Sequence, residues 1–446
     1  MTRLSTRFVA TASLCLLAGC GGSGGGSRSS DPADGAGSDE VLIDLAVTHQ
    51  HISGFGASSA WTFSNASDSL ADQFFSAETG IGLSLLRVRI TPSGTTGELA
   101  TAQKAVARGA RVWAAPWSPP GEWKSNNSDR QGGRLLPEHY ADWAERLTTF
   151  VSDLDAAGVP LLVLSAQNEP NWVATWETCE WSPEELTTFV RDELGPRLDA
   201  LGLDTHILAP ETNDWNTIAR YGDALLNDAG AARYLSAVAT HAYGGRAFAY
   251  ATPAMRGKEL WQTEMSDPTK VSDSGIDSGL RIARLIHDHL TIAEVSAWHY
   301  WWLIPGAGAD DNGALTRDGA LTRRAYALGN WSRFVRPDFV RVEATTAPRP
   351  GVSVSAFRDE ASRRVVIVAI NDGTRDQKQD FALSGGEFQS VTPWTTSAEL
   401  ALVAGEPLAL SAGKFSAQLP KRSITSFVGS SSDSPPNGAG GAPSSP

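Results

Sequence analysis

The sequence predicts an α/β fold, a (β/α)8 barrel with a side β-domain, and three observations support this prediction. Residues 52–336 alternate between short apolar segments and amphipathic helical patterns. Eight such segments with helices between them match the strand count and the size of a closed parallel barrel. After Arg336-Pro337 the helical patterns give way to short strands separated by turn residues, which is typical of a small antiparallel β-sandwich.

The predicted barrel strands are near-continuous apolar runs, as expected for strands that are covered on both faces. They are Ile52–Ala57, Leu83–Ile90, Arg111–Trp117, Leu161–Gln167, His206–Pro210, Val238–Tyr243, Leu260–Met265 and Val295–Leu303. No Gly-rich phosphate fingerprint follows the first of them, which argues against a doubly wound open sheet. The helical patterns are Glu98–Arg108, Pro137–Ala157, Ser182–Leu201, Ile276–Ala293 and Leu321–Val335. Ser182 is followed by Pro-Glu-Glu, an N-cap with an acidic first turn.

The side domain is predicted to use both ends of the folded chain. Its strands are Val340–Glu343, Val352–Arg358, Arg364–Asn371, Phe388–Thr392, Phe415–Leu419 and Ile424–Val428. Residues 40–47 alternate between apolar and polar side chains and are expected to pair with them. The predicted boundaries are therefore 40–49 for the N-terminal strand, 50–336 for the barrel and 337–429 for the sandwich.

The N-terminus has the features of an export signal. Arg3 and Arg7 precede a short apolar run, Phe8–Leu17, that ends in Leu17-Ala18-Gly19-Cys20. This ending resembles a bacterial lipobox, so we expect residues 1–20 to be a lipoprotein-type signal with Cys20 lipidated. A plain signal peptide cleaved near Gly19 is the alternative, and both predict a protein exported to the cell envelope or secreted. Residues 21–39 are expected to be a Gly/Ser-rich linker, and residues 430–446 a disordered tail.

Composition narrows the possible partners. The net charge of −13 argues against a nucleic-acid partner, because an acidic surface repels phosphates. The sequence has 15 Trp but only 7 Tyr; Trp fills cores, and its flat ring also packs on sugar rings. The His residues are scattered and no Cys/His spacing repeats, so no metal and no cofactor are expected. A monomer is expected.

Two glutamates occupy the positions where barrel enzymes place their catalytic groups. Glu169 follows the fourth predicted strand, and Glu264 ends the seventh. The C-terminal strand ends form the active-site face of a barrel, and strands four and seven face each other across it. Retaining glycoside hydrolysis needs two carboxyl groups about 5–5.5 Å apart, one as nucleophile and one as acid/base. Solvated loop carboxylates or structural salt bridges are the alternative for any single Glu, but the matched pair favours catalysis.

The same segments resemble glycoside hydrolase family 30, most closely its bacterial xylanase branch. The resemblance covers residues 41–429 and rests on Gly54-Phe55-Gly56, Leu86-Arg87-Val88, Ala115-Pro116-Trp117-Ser118-Pro119-Pro120, Gln167-Asn168-Glu169-Pro170, Thr240-His241-Ala242-Tyr243-Gly244, Leu260-Trp261-Gln262-Thr263-Glu264, Trp301-Trp302 and Phe334-Val335-Arg336-Pro337. It implies a barrel with a side β-domain and retention of anomeric configuration. It also implies that Glu169 is the acid/base and Glu264 the nucleophile.

Four polar side chains are expected beside this pair. Arg87, at the end of the second strand, would hold Glu264 ionised. Asn168 offers an amide to a sugar 2-hydroxyl. Tyr243 would hydrogen-bond the nucleophile or the ring oxygen. His241 is either a site residue or a core histidine.

Four tryptophans are expected to shape the sugar subsites. Trp117 and Trp302 would line them by stacking. Trp61 and Trp123, on the first and third loops, would form more distant subsites.

The loop after the eighth strand departs from the xylanase branch. Many of those enzymes place an Arg just after the Trp-Trp pair to bind the glucuronate branch of glucuronoxylan. Here the loop continues Leu303-Ile304-Pro305-Gly306-Ala307-Gly308-Ala309-Asp310-Asp311, with no Arg before Arg317. Such a loop cannot make a bidentate contact with a carboxylate. The sequence therefore predicts a β-1,4-xylanase that does not depend on glucuronate. An endo-β-1,6-glucanase or galactanase, and a non-catalytic glycan-binding lipoprotein, remain the alternatives.

Overall fold

The computed structural model describes residues 39–269, 273–306 and 311–430. Cys20, the signal and linker segments before residue 39 and the tail after residue 430 lie outside the described residues. Numbered in chain order, β1 (Val41–His51) belongs to the side domain, and the next eight strands form a closed parallel barrel. These are β2 (Gly54–Ser58), β3 (Leu85–Ile90), β4 (Arg111–Pro116), β5 (Leu161–Ser165), β6 (His206–Thr212), β7 (Leu235–His241), β8 (Glu259–Glu264) and β9 (Ala297–Trp302). Strand β2 pairs with both β3 and β9, which closes the barrel and confirms the predicted fold.

Helices connect the barrel strands. They are α1 (Asp68–Phe75), α2 (Leu99–Val106), α3 (Tyr140–Ala156), α4 (Pro183–Phe189), α5 (Gly195–Asp199), α6 (Ile218–Asn227), α7 (Ala229–Ala232), α8 (Thr252–Met255), α9 (Ile276–Thr291) and α10 (Arg323–Ser332). Ser182 caps α4 in a reciprocal capping box with Glu185. The single helix expected over 182–201 is instead interrupted by a π-helical segment, Val190–Leu194. Pro196 has no N–H and its ring crowds the preceding turn, which explains the wider winding there.

The side domain is one continuous sheet of ten strands that curls on itself. Its C-terminal strands are β12 (Val340–Ala344), β13 (Val352–Asp359), β14 (Arg364–Asn371), β15 (Gln377–Ser384), β16 (Ser390–Thr396), β17 (Val403–Ala404), β18 (Leu408–Ala409), β19 (Lys414–Leu419) and β20 (Ser423–Ser430). The short β10 (Thr316–Arg317) and β11 (Ala320–Leu321) form a separate hairpin in the barrel. Phe381, Phe415 and Phe427 lie 4.6–5.3 Å apart and bring distant strands of the sheet into one core.

Strand β1 joins the two ends of the chain, as the sequence predicted. It pairs antiparallel with β12 and parallel with β15. Strand β15 was not predicted from the sequence because its first half, Gln377–Asp380, is polar. Only its alternate residues are buried, including Gln379 and Phe381.

Large and small side chains together fill the barrel interior below the site. Trp113 and Trp261 pack there with alanines such as Ala237 and Ala297. On the outside, helices α9 and α10 pack against the side sheet, and Phe357 and Ile424 extend the barrel's core into it. This packing fixes the strand ends that carry the site. Within the described residues, no helix is both long and apolar enough to cross a membrane.

Candidate active site

Glu169 and Glu264 lie opposite each other at the C-terminal mouth of the barrel. Both are nearly buried, and one oxygen of each lies within 4.8 Å of the other. Glu264 is the last residue of β8. Glu169 lies beyond β5 with a left-handed backbone (φ +48°), and its N–H donates to the carbonyl of Glu211 at 2.8 Å. This conformation is uncommon for a residue with a side chain, and it turns the chain out of the strand direction where the carboxyl group is needed.

The Glu264 carboxylate is held by one donor on each oxygen. Arg87 Nη1 donates to Oε2 at 2.5 Å, and the Tyr243 hydroxyl donates to Oε1 at 2.8 Å. Burial raises the pKa of Glu264, while the charges of His241 and Arg87 oppose this rise. Burial and the Glu264 charge hold the pKa of Tyr243 well above its ordinary value, so Tyr243 is a neutral donor. A carboxylate fixed on both oxygens is oriented for attack on an anomeric carbon.

The Glu169 carboxyl group has different partners. Asn213 Nδ2 donates to Oε1 at 2.6 Å, and His241 Nδ1 lies 2.8 Å from the same oxygen. The other ring nitrogen of His241 lies 3.2 Å from Oε1 of Glu211 and 3.7 Å from Oε2 of Glu264. His241 is therefore part of the site and contacts three carboxyl groups.

His241 is charged in this environment. Burial lowers its pKa, but the Glu264 charge and the hydrogen bonds to Glu169 and Glu211 outweigh burial and raise the pKa to about 9. An imidazolium has two N–H donors and no lone pair. In the described part of the chain, one group of side chains has ligand atoms close enough together to hold a metal ion. It consists of Glu169, His241 and Glu264. A doubly protonated His241 is a poor ligand, so the cluster fits proton chemistry better than metal binding.

Glu211 is a third carboxylate, completely buried behind the pair. Its Oε1 accepts from Arg87 Nη2 at 2.6 Å, and its Oε2 accepts from Ser165 Oγ at 2.7 Å. Burial alone would raise its pKa, but Arg87 and His241 lower it. Glu211 is therefore ionised, and it holds Arg87 and His241 in place.

A cleft of about 860 Å³ opens above these groups, and its walls are rich in tryptophan. The lining tryptophans are Trp61, Trp117, Trp172, Trp176, Trp301 and Trp302. Trp117 is almost fully buried, and its ring packs edge-on against Trp61 at 4.7 Å and over the Arg87 guanidinium at 4.5 Å. Trp172 and Trp176 are 46% and 52% exposed, so about half of the surface of each residue is available to a ligand.

The structure brings most of the predicted site residues together. Arg87 lies inside β3 rather than at its end, and its long side chain runs up the barrel interior to Glu264. Asn168 is buried, and its Oδ1 accepts from Arg87 at 2.5 Å. Trp123 does not line the cleft. Its ring stacks on His139 with the Arg146 guanidinium over it.

Sequence reasoning missed Glu211 and Asn213, and also the exposed tryptophans Trp172 and Trp176. A signal for the first two was present. The fifth predicted barrel strand ends at Pro210, but β6 continues to Thr212, so Glu211 and Asn213 lie at a strand mouth, as Glu169 and Glu264 do. Trp172 and Trp176 follow Glu169 on the same loop, and loops on this face carry function.

A closed barrel with two facing carboxyl groups in a tryptophan-lined cleft defines a glycoside hydrolase. The model of the glycosyl hydrolase family 30 TIM-barrel domain matches residues 97–291. The chain is 31% identical to the glucuronoxylanase XynC of Bacillus subtilis over 402 residues, which cover 87% of this chain and 91% of the relative. Among solved structures, a family 30 subfamily 8 xylanase from Clostridium acetobutylicum is similar, with a TM-score of 0.80 and 33% identity over 88% of this chain and 100% of that chain. The chain belongs to glycoside hydrolase family 30.

A more distant relative is named for a different polysaccharide. The endo-β-1,6-galactanase of Hypocrea rufa is 25% identical over 317 residues, or 66% of this chain and 63% of the relative. The proteins that this chain resembles are thus named for different polysaccharides.

Proposed function

We propose that this protein is a retaining endo-β-1,4-xylanase that does not require glucuronate branches. The observation that carries the proposal is the Glu169–Glu264 pair at the base of a tryptophan-lined cleft. The similarity to a glucuronoxylanase and to a subfamily 8 xylanase supports xylan as the substrate class.

In the first step Glu264 attacks the anomeric carbon while Glu169 gives its proton to the leaving glycosidic oxygen. A covalent glycosyl-enzyme forms and the leaving sugar departs. Arg87 and Tyr243 orient the attacking carboxylate through one oxygen each.

In the second step Glu169, now ionised, takes a proton from water, and that water displaces Glu264 from the anomeric carbon. Two inversions give net retention. Inverting enzymes keep their carboxyl groups about 6.5–9.5 Å apart to admit a water. Oxygens within 4.8 Å of each other support the double-displacement route instead.

Asn168 supplies a donor for the sugar. Its Nδ2 is buried and has no hydrogen-bond partner among the described residues, although its Oδ1 is bonded to Arg87. A buried amide left unpaired costs about 1–3 kcal/mol. A sugar 2-hydroxyl that accepts this N–H at the transition state would recover that energy.

The proposed independence from glucuronate rests on the sequence after Trp302. Residues 303–311 contain two aspartates and no Arg. Aspartates repel an acidic branch and cannot replace the planar, bidentate guanidinium.

Product analysis of the full-length protein on glucuronoxylan, arabinoxylan, β-1,6-glucan and β-1,6-galactan tests the substrate. Xylo-oligosaccharides released at comparable rates from both xylans are expected. A strict requirement for the acidic branch would overturn the glucuronate part of the proposal. Activity on a β-1,6 polymer alone would favour the second candidate, for which the similarity to the Hypocrea rufa galactanase is the supporting observation. Binding of any of these polymers without hydrolysis would favour a glycan-binding protein.

We also propose that the protein is exported and anchored through a lipid on Cys20. The support is the charged and apolar leader that ends in Leu17-Ala18-Gly19-Cys20. Metabolic labelling with a fatty acid, compared between the natural chain and Cys20→Ser, tests the anchor. Label on the natural chain alone is expected, and release of an unlabelled chain would favour a plain signal peptide.

A further inference from the structure

The completely buried Glu211 has no contact with the cleft, yet it lies at the centre of the charged groups beneath it. The groups that face it from the neighbouring strands are Arg87 of β3, Ser165 of β5, His241 of β7 and His299 of β9. Arg87 also contacts Glu264, and His241 contacts both Glu169 and Glu264, so these two cations connect Glu211 to the pair at the barrel mouth. Burial lowers the pKa of His299 to about 3, so it adds no charge. The charged cluster therefore consists of two cations, Arg87 and His241, and three carboxyl groups.

The balance of these charges decides where the catalytic proton resides. If Glu211 were absent, the two cations would be matched by Glu169 and Glu264, both ionised. The enzyme would then begin its cycle without the proton that the leaving oxygen needs. With Glu211 ionised as well, the buried cluster carries one excess negative charge until one carboxyl group takes up a proton. Excess charge in a buried site is strongly disfavoured.

We propose, on the basis of the function proposed above, that Glu211 is a positioning residue that obliges the catalytic pair to retain one proton. Glu211 acts through Arg87 and His241, at 2.6 and 3.2 Å from its Oε1. Arg87 donates to the nucleophile Glu264, so that carboxyl group is stabilised as the anion. Both partners of Glu169, Asn213 and His241, reach its Oε1, which leaves Oε2 as the oxygen that carries the proton of the general acid.

The variant Glu211→Gln tests this proposal, because it should move the pKa values of the neighbouring groups in one known direction. Removing a buried negative charge lowers the pKa of every neighbouring group, whether acid or imidazolium. Both limbs of the pH profile of kcat/KM should move to lower pH, by about one pH unit or more, since interacting buried sites are typically coupled that strongly. At a fixed pH above the optimum, the rate should fall roughly tenfold for each pH unit by which the alkaline limb moves. Glu211→Asp retains the negative charge. Its kcat/KM profile should therefore keep both limbs at the same pH, even if kcat itself is lower.

Glu259→Gln is the matched control. Glu259 is another carboxylate on a barrel strand. It is partly buried and lies at the start of β8, where it accepts from Ser53 Oγ at 2.6 Å and from Trp261 Nε1 at 2.5 Å. The same substitution there should leave both limbs where they are. A purely structural role for Glu211 would lower stability or kcat without moving the limbs.

A titration of the His241 imidazole by NMR, assigned with His241→Asn, provides a readout that does not need substrate. The natural protein should titrate near pH 9 and Glu211→Gln about one pH unit or more lower. A His241 that is neutral at pH 7 in the natural protein, or an unmoved profile and titration in Glu211→Gln, would overturn the inference. If Glu211→Gln does not fold, the titration of His241 in the natural protein is the remaining test, and an imidazole that is neutral at pH 7 overturns the inference. If the natural protein cleaves none of the four polysaccharides, the proposed function is wrong. The titration of His241 does not need substrate, so it still tests the role of Glu211 separately.

Discussion

The Tyr243 hydroxyl donates a 2.8 Å hydrogen bond to Oε1 of Glu264, on the oxygen opposite the one that Arg87 holds. The tyrosine lies two residues beyond the end of β7, and the glutamate ends β8, so the pairing of adjacent barrel strands brings them together. The two hydrogen bonds hold the carboxylate of Glu264 in one orientation, so the Tyr243 hydroxyl helps to set the position of this group in the cleft.

Tyr243→Phe removes this donor and retains the ring. A hydrogen bond to a charged group contributes about 1.5–3 kcal/mol, so kcat/KM should fall roughly 10- to 100-fold. The hydroxyl group is buried against Glu264, but the residue as a whole is 43% exposed, and the melting temperature should therefore change little. Steady-state kinetics and thermal melts measure both quantities. Unchanged kinetics would show that the Tyr243 hydroxyl does not assist the nucleophile.

Alanine variants of the two glutamates separate their roles. Glu169→Ala should lose about 10²–10⁴-fold on a polysaccharide, the usual contribution of a general acid. It should lose far less in the first step on an aryl glycoside with a good leaving group, which needs no protonation. Azide should then give a glycosyl azide of retained configuration.

Glu264→Ala should be inactive on every substrate. Azide should replace the missing nucleophile and give the glycosyl azide of inverted configuration. NMR of the products determines the anomeric configuration of the glycosyl azide in each case. Exchanged configurations would mean that the acid/base and nucleophile assignments are reversed.

Trp172→Ala tests the exposed aromatic wall of the cleft. Loss of its apolar surface should weaken sugar binding by about 1–2 kcal/mol, which raises KM roughly 5- to 30-fold with a smaller effect on kcat. Trp123→Ala is the matched control, because Trp123 stacks on His139 outside the cleft lining. It should lower the melting temperature and leave KM unchanged. Equal effects of the two variants on KM would argue against a subsite at Trp172.

Acid should destabilise the protein through two buried histidines. Trp113 Nε1 donates to His299 Nε2 at 3.0 Å, and Trp298 Nε1 donates to His289 Nδ1 at 2.9 Å. Each accepting nitrogen must be unprotonated, and burial lowers both pKa values from 6.5 to about 3. Because the folded pKa lies below the unfolded one, the stabilisation is complete above about pH 6.5 and is lost as the pH falls toward 3.

Denaturant unfolding measured from pH 7.5 to 4 checks this prediction. Each histidine should reduce the free energy of unfolding by up to ~1.4 kcal/mol per pH unit below pH 6.5. His289→Gln, which retains an acceptor without titrating, should flatten the slope by about one proton. An identical slope in this variant would mean that His289 is already charged in the folded protein.

The barrel and the two facing glutamates at its mouth follow from the amino-acid sequence alone. Apolar strands covered on both faces, alternating with amphipathic helices, specify a parallel barrel because few other arrangements bury them. A polar residue at the C-terminal end of such a strand must lie at the barrel mouth, so Glu169 and Glu264 could be found by position alone.

The groups behind that pair could be found only in the folded chain. Glu211 and Asn213 reach the cluster from the end of β6 and His241 reaches it from β7, and the hydrogen bonds that Asn213 and His241 make to Glu169 and Glu211 span 30–72 residues of sequence. The course of the chain also brings Trp172 to the cleft while Trp123 packs on His139. The periodicity of the sequence indicates which face of a strand is buried. The distances between charged side chains, and the positions of the tryptophans in the cleft, depend instead on strand register and on the course of the loops. These are fixed only when the barrel closes.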